Sequence, residues 1–230
     1  MSVSTRNAGA VVALGDSITD GASSEVGANH RWPDLLSDRI QDTSRMQEVG
    51  VLNLGIAGNR LLWDPNAATE EGEEYGAYFG HSTLRRFDRD VLAQQGVEHV
   101  ITLIGTNDIG QPDSFAPIEE TVTAQEIIDG HRQLIARAHA AGLKIHGGTI
   151  LPFGGTPNYD TPQNEAMRQT VNEWIRTSGE YDGVVDFDAA VRDPGEPSRM
   201  LPAYDSGDHL HPNDAGMQAM ADAVPLDLLR

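Results

Sequence analysis

Five largely apolar runs of strand length, each separated from the next by a stretch with helical spacing, constrain this chain more than any other feature. They are Ala10–Leu14, Val49–Leu54, Val97–Ile104, Leu143–Leu151 and Gly183–Phe187. Runs of this kind suit strands covered on both faces, and strands that alternate with helices pair in parallel. Between the first two, Trp32, Leu35, Leu36 and Ile40 recur at helical spacing, and Leu84, Phe87 and Val91 do the same before the third. A longer helix opens with the capping box Thr123-Ala124-Gln125-Glu126 and stops at Gly142, with Ile127, Ile128, Leu134, Ile135 and Ala138 on its core face. Thr161-Pro162 starts another, with Met167, Val171, Trp174 and Ile175 inward, and Met217, Met220 and Val224 line a closing helix. The expectation is an α/β chain built on a central, mainly five-stranded parallel sheet with helices on both faces.

With 230 residues and 39% hydrophobic content, the whole chain suits one domain with a sizeable core, and it shows no internal repeat or long linker. Its 35 acidic against 16 basic residues give a formal net charge of −19, which repels nucleic acid and anionic membrane surfaces. Lys144 is the one lysine among the basic residues, a bias that fits either a GC-rich genome or a salt-adapted surface. No stretch approaches the roughly 20 apolar residues of a membrane span, and no signal-peptide pattern precedes the first strand. A cytoplasmic location is the default expectation, with secretion open if a leader was removed. The chain has no cysteine, so disulfides give no evidence on compartment.

In an open parallel sheet, ligands bind beyond the carboxyl ends of the strands, so the loops there are where chemistry is expected. The first such loop is Gly15-Asp16-Ser17-Ile18-Thr19-Asp20-Gly21, which makes Ser17 the candidate nucleophile. Gly, Asp and Ser also serve ordinary turn and capping chemistry, and that reading stands beside the first. The later loops carry Gly58-Asn59-Arg60, then Gly105-Thr106-Asn107-Asp108, then Asp208-His209-Leu210-His211-Pro212-Asn213. A serine hydroxyl needs an adjacent base, and imidazole titrates in the right range. His211 has Asp208 three residues before it, close enough in a turn to accept its other ring N–H; His209 is the rival base. The backbone N–H groups of Ser17 and Gly58 and the side-chain amide of Asn107 are candidate donors to a developing oxyanion. For Gly58 the plainer role is turn geometry, and for Asn107 it is capping its own loop. Asp16, Asp20 and Asp108 read as structural hydrogen-bonding residues, and histidines 30, 81, 99, 131, 139 and 146 have no motif support. Asp208 with two nearby histidines suggests metal, yet no third carboxylate or cysteine cluster has ligand spacing, so neither metal nor cofactor is expected.

Taken together and in order, Gly15-Asp16-Ser17, Gly58, Gly105-Thr106-Asn107-Asp108 and Asp208-x-x-His211-Pro212 resemble the blocks of the SGNH/GDSL hydrolase family, over about residues 10–222. The resemblance implies a flavodoxin-like three-layer α/β/α sandwich and ester hydrolysis, with Ser17 as nucleophile, His211 as base, Asp208 as its orienter, and Ser17, Gly58 and Asn107 as the oxyanion hole. It implies a short-chain acyl ester as substrate, with acetylated carbohydrate the leading candidate. The alternatives are lysophospholipase or thioesterase activity on longer chains, and a non-catalytic carbohydrate-binding domain. An insertion at 63–80, with the acidic run Glu70-Glu71-Gly72-Glu73-Glu74 between Trp63, Tyr75, Tyr78 and Phe79, reads either as a flap over the site or as a solvated loop. Oligomeric state is not legible.

Overall fold

The computed structural model describes residues 9–65 and 78–230, and in it the five apolar runs form one all-parallel sheet. The strands are β1 (Ala10–Gly15), β2 (Gly50–Gly55), β3 (Val97–Leu103), β4 (Lys144–Gly148) and β5 (Gly183–Val185), in the spatial order β2-β1-β3-β4-β5. Along β1, Val12 and Leu14 join the core on one side of the sheet while Val11 and Ala13 join the core on the other, the period-two alternation of a strand buried on both faces.

The helices are α1 (Ser17–Asp20), α2 (Trp32–Gln41), α3 (Thr83–Phe87), α4 (Thr106–Gly110), α5 (Ala124–Ala140), α6 (Pro162–Thr177), α7 (Phe187–Val191) and α8 (Asp214–Ala223). Phe87 of α3, Leu134 of α5 and Val171 of α6 fill the first core; Leu36 of α2, Phe187 of α7 and Met217 of α8 fill the second. This is the three-layer sandwich. Both bonds of the Thr123/Glu126 capping box are made. Among the described residues, no helix is long and apolar enough to cross a membrane.

Two strands are shorter than the apolar runs suggest. Beyond Gly148 the backbone of Ile150 bonds the buried side chain of Asn172 at both its N–H (2.7 Å) and its carbonyl (2.8 Å), which takes it out of the sheet. Beyond Val185 the side chain of Asp186 caps α7, so Phe187 begins a helix instead of ending a strand. Met167 and Trp174 are half-buried against the first core, while Arg168 and Asn172 on the same helix are fully buried.

The chain runs from β1 outward to β2 and then returns to the other side of β1 for β3. The order therefore reverses at the β1/β3 boundary, where a crevice opens beyond the carboxyl ends. Ser17 follows β1 and Asn107 follows β3, so they flank that crevice.

Candidate active site

Ser17 is presented by a tight strand-to-helix junction. Asp16 caps α1 by accepting the Ile18 amide at 3.0 Å, which makes Ser17 the first helical residue, whose own N–H has no acceptor one turn back. A side chain at Gly15 would run into the Thr19 hydroxyl and the Leu103 carbonyl, so the junction needs glycine there. The imidazole of His211 then closes a line across the crevice: its Nε2 lies 2.8 Å from Ser17 Oγ, and its Nδ1 lies 2.6 Å from Asp208 Oδ2. The second oxygen of Asp208 accepts the amides of Leu210 (2.9 Å) and His211 (2.8 Å). Partial burial opposes ionisation of that carboxylate, but the His211 amide, the His211 ring and the Leu210 amide outweigh it and hold it at about 2.

The rival histidine points elsewhere. His209 has the left-handed φ of 64°, and its Nδ1 lies 2.5 Å from Asp205, lining a cavity of about 430 Å³ with Gly154, Asp193, Arg199 and Met200. Two Asp–His pairs thus sit side by side on one loop, and it is His211 whose ring bonds Ser17.

Gly58 and Asn107 are drawn together by backbone contacts. Gly58 has φ 74°, and a side chain there would run into the ring of Phe79. Its carbonyl accepts Gln111 Nε2 at 2.9 Å, and the carbonyl of the next residue, Asn59, accepts Asn107 Nδ2 at 3.0 Å. Both carboxylate oxygens of Asp108 grip the same loop through the amides of Leu61 (2.7 Å) and Leu62 (2.9 Å). Burial raises Asp108 to about 6 against the pull of those two amides, and raises Asp16 to about 7 against the Ile18 amide. Asp16 and Asp108 thus have the structural bonding expected of them, and Asp20 is exposed at the end of α1.

A buried polar network that the sequence does not announce lies beneath these residues. Asn59 Nδ2 donates to the carbonyls of Phe79 and His81, both at 2.8 Å, and its Oδ1 accepts from Thr83 Oγ1 (2.8 Å) and Arg86 Nε (3.0 Å). The Arg86 guanidinium reaches on to the carbonyls of Gly15 and Leu54, both at 2.9 Å, and to Asp90 at 3.0 Å. One side chain therefore ties the carboxyl ends of β1 and β2 together. On the far side, Tyr159 donates its hydroxyl to Asn107 Oδ1 at 2.8 Å. Asn59 stands in a loop the sequence singles out, but nothing local marks Arg86, Gln111 or Tyr159.

Of the 63–80 insertion, residues 66–77, including the acidic run and Tyr75, lie outside the described residues. Trp63 and Tyr78 are exposed, while Phe79 packs over Gly58 and meets Phe115 edge-on, 6.4 Å between ring centres. His30, His81 and His139 face Asp214, Asp64 and Asp182 at the surface. His99, His131 and His146 are buried, His131 with its Nδ1 2.7 Å from the Tyr181 hydroxyl. Glu25, His30 and Asp214 bring three metal-capable groups together. Asp214 already accepts the Glu25 amide at 2.8 Å and lies 2.6 Å from His30 Nδ1, which fastens the loop before α2 to the start of α8.

The architecture is an α/β sandwich around a five-stranded, all-parallel sheet, and solved structures share it. An acetylxylan esterase from Geobacillus stearothermophilus, Axe2, superposes with a TM-score of 0.66 at 23% identity, covering 97% of this chain and 96% of its own. LAE5, an alpha/beta hydrolase enzyme from the metagenome of Lake Arreo, Spain, does so with a TM-score of 0.67 at 22% identity, covering 96% and 94%. No curated protein matches the chain in sequence. The chain belongs to the GDSL-like lipase/acylhydrolase family, whose sequence pattern matches residues 13–219. It is a carboxylic ester hydrolase.

Proposed function

We propose that the chain cleaves short-chain acyl esters, acetylated carbohydrates foremost, through an acyl-enzyme formed on Ser17. The observation that carries this reading is the unbroken line from Ser17 Oγ to His211 (2.8 Å) to Asp208 (2.6 Å). Ser17 Oγ attacks the ester carbonyl while His211 Nε2 takes its proton, and the ionised Asp208 steadies the resulting imidazolium through Nδ1–H. The carbonyl oxygen, now negative, is met by the N–H groups of Ser17 and Gly58 and by Asn107 Nδ2. Collapse of the tetrahedral centre expels the alcohol, which leaves with the proton from His211; water then repeats the sequence and frees the acid and Ser17.

The substrate class draws support from three sources. The net charge of −19 disfavours anionic esters. Exposed Trp63 and Tyr78, in the segments flanking 66–77, and Phe115, edge-on to the ring that covers Gly58, offer aromatic surface of the kind that packs against sugar or aryl groups. The similar Geobacillus protein is an acetylxylan esterase.

The test is a rate series on 4-nitrophenyl esters from two to twelve carbons, with acetylated xylooligosaccharides and lysophosphatidylcholine, for wild type and Ser17→Ala. Rates should be highest for acetyl groups and vanish in Ser17→Ala. A Ser17→Ala protein at wild-type rates would remove the serine mechanism. A maximum at long chains, or turnover of the lysolipid alone, would replace the substrate with that of a lysophospholipase or thioesterase. Saccharide binding without turnover of any ester would make the domain a binding module.

A further inference from the structure

The hydrogen bonds around Asn107 fix more than its position. An asparagine amide has one oxygen and two N–H groups, and χ2 about its terminal bond is a broad torsion, so its orientation is set by its partners. The Asn59 carbonyl, 3.0 Å away, can only accept, so it must face Nδ2. The amide oxygen is then turned to Tyr159, whose hydroxyl at 2.8 Å has to donate. Two opposed bonds settle the flip, and the second N–H of Nδ2 has no acceptor among the described residues.

Tyr159 is itself held firmly. It is 4% exposed, its ring meets Phe153 edge-on at 6.0 Å between centres, and it fills the space where a side chain on Gly110 would be. Burial keeps its hydroxyl protonated far above the ordinary tyrosine range, with the charges of Asp16 and Asp108 adding to the effect, so it stays a donor throughout the working pH range. It comes from the loop after β4.

Building on the serine-esterase reading, we propose that Tyr159 is a positioning residue for the oxyanion: its hydroxyl locks the Asn107 amide so that the free Nδ2–H is kept for the substrate oxygen. Without the phenol, the Asn107 carbonyl is a buried acceptor lacking its donor. The amide then turns or recruits water, and the N–H is misplaced when charge develops.

The experiment is a double-mutant cycle on 4-nitrophenyl acetate with wild type, Tyr159→Phe, Asn107→Ala and the double variant, alongside Ser17→Ala. Tyr159→Phe should lower kcat by about tenfold or more, keep KM within about twofold, and leave the pH of half-maximal activity in place, since His211 and Asp208 are untouched. In the Asn107→Ala background the same substitution should change kcat by less than about twofold. An equal loss in both backgrounds, or an unchanged kcat in Tyr159→Phe, overturns the positioning role. Ser17→Ala at full rate removes the underlying serine reading, whereas an inactive Ser17→Ala with a fully active Tyr159→Phe removes only the role of Tyr159. Should Tyr159→Phe not fold, wild type decides by nuclear magnetic resonance with phenylboronic acid, which mimics the tetrahedral oxyanion on Ser17. One Asn107 Nδ2 proton should shift while its partner stays. Both shifting, or neither in the boronate-bound enzyme, overturns the lock.

Discussion

The two sides of the crevice are built in opposite ways. On the His211 side, Asp208 and His211 are three residues apart on a loop, and the Asp208 side chain is 45% exposed. Their geometry comes from a single turn in which one carboxylate takes two amides and a ring nitrogen. On the Asn107 side, Asn59, Arg86, Asn107 and Asp108 are each buried to within 4% of fully. They hold one another through contacts between segments far apart in the chain. On the proposed serine mechanism, charge for proton transfer is thus kept near water, where the ion pair is cheaply solvated, and the neutral donors are kept where their orientation is over-determined.

The contrast is broken most severely by His211→Ala. On the exposed loop it should cost activity by on the order of 10⁶-fold, and Asp208→Asn about 10⁴-fold, with thermal midpoints within about 2 °C of wild type. Hydrolysis of 4-nitrophenyl acetate and melting by circular dichroism give both numbers. An Asp208→Asn effect as large as that of His211→Ala would mean that Asp208 does more than orient the ring.

Arg86→Leu tests the buried side. It removes one donor each from the carbonyls of Gly15 and Leu54, the Asn59 amide oxygen and the Asp90 carboxylate, of which Gly15, Asn59 and Asp90 keep Ile56, Thr83 and Arg89, so it should destabilise by about 2–4 kcal/mol in urea titration. A cost under about 1 kcal/mol would show that the two strand ends hold together without it.

A smaller effect lies deeper in the core. Burial pushes His131 down to about 4, and burial with the neighbouring His99 does the same to His146. Between the ordinary histidine value near 6.5 and 4, the unfolded chain binds protons that the folded one refuses, so stability falls as pH falls through that window. His131 should account for on the order of 2 kcal/mol of the loss between pH 7.5 and 5. Urea titrations at both pH values should show a shallower drop in His131→Gln; an equal drop would place the acid sensitivity elsewhere.

The same division decides what was legible in the sequence. Asp208 and His211 sit in one short pattern whose pairing is local, and the β1 alternation and the Thr123 capping box are likewise read from neighbours; Ser17 lies 194 positions from His211, and only the family resemblance joins the two in the sequence. Arg86 reaches Gly15 across 71 positions, and Tyr159 reaches Asn107 across 52. No periodicity encodes such pairings, and the apolar residues around Arg86 and Arg168 predict only that a helix packs there. The ends of β4 and β5 were overrun for a related reason: the side chains of Asn172 and Asp186 compete for backbone that apolar content alone assigns to the sheet.

Arg86 also bears on how such a site can diversify. By holding the carbonyls of Gly15 and Leu54 in one planar fork, it turns the ends of two strands into a single mechanical body. An insertion or shift near Gly58 cannot be absorbed there without dragging the serine junction along. The cavity beside His209, lined by Gly154, Asp193, Arg199 and Met200, draws on neither strand end, so a change of shape there leaves the Gly15 and Leu54 carbonyls where they are.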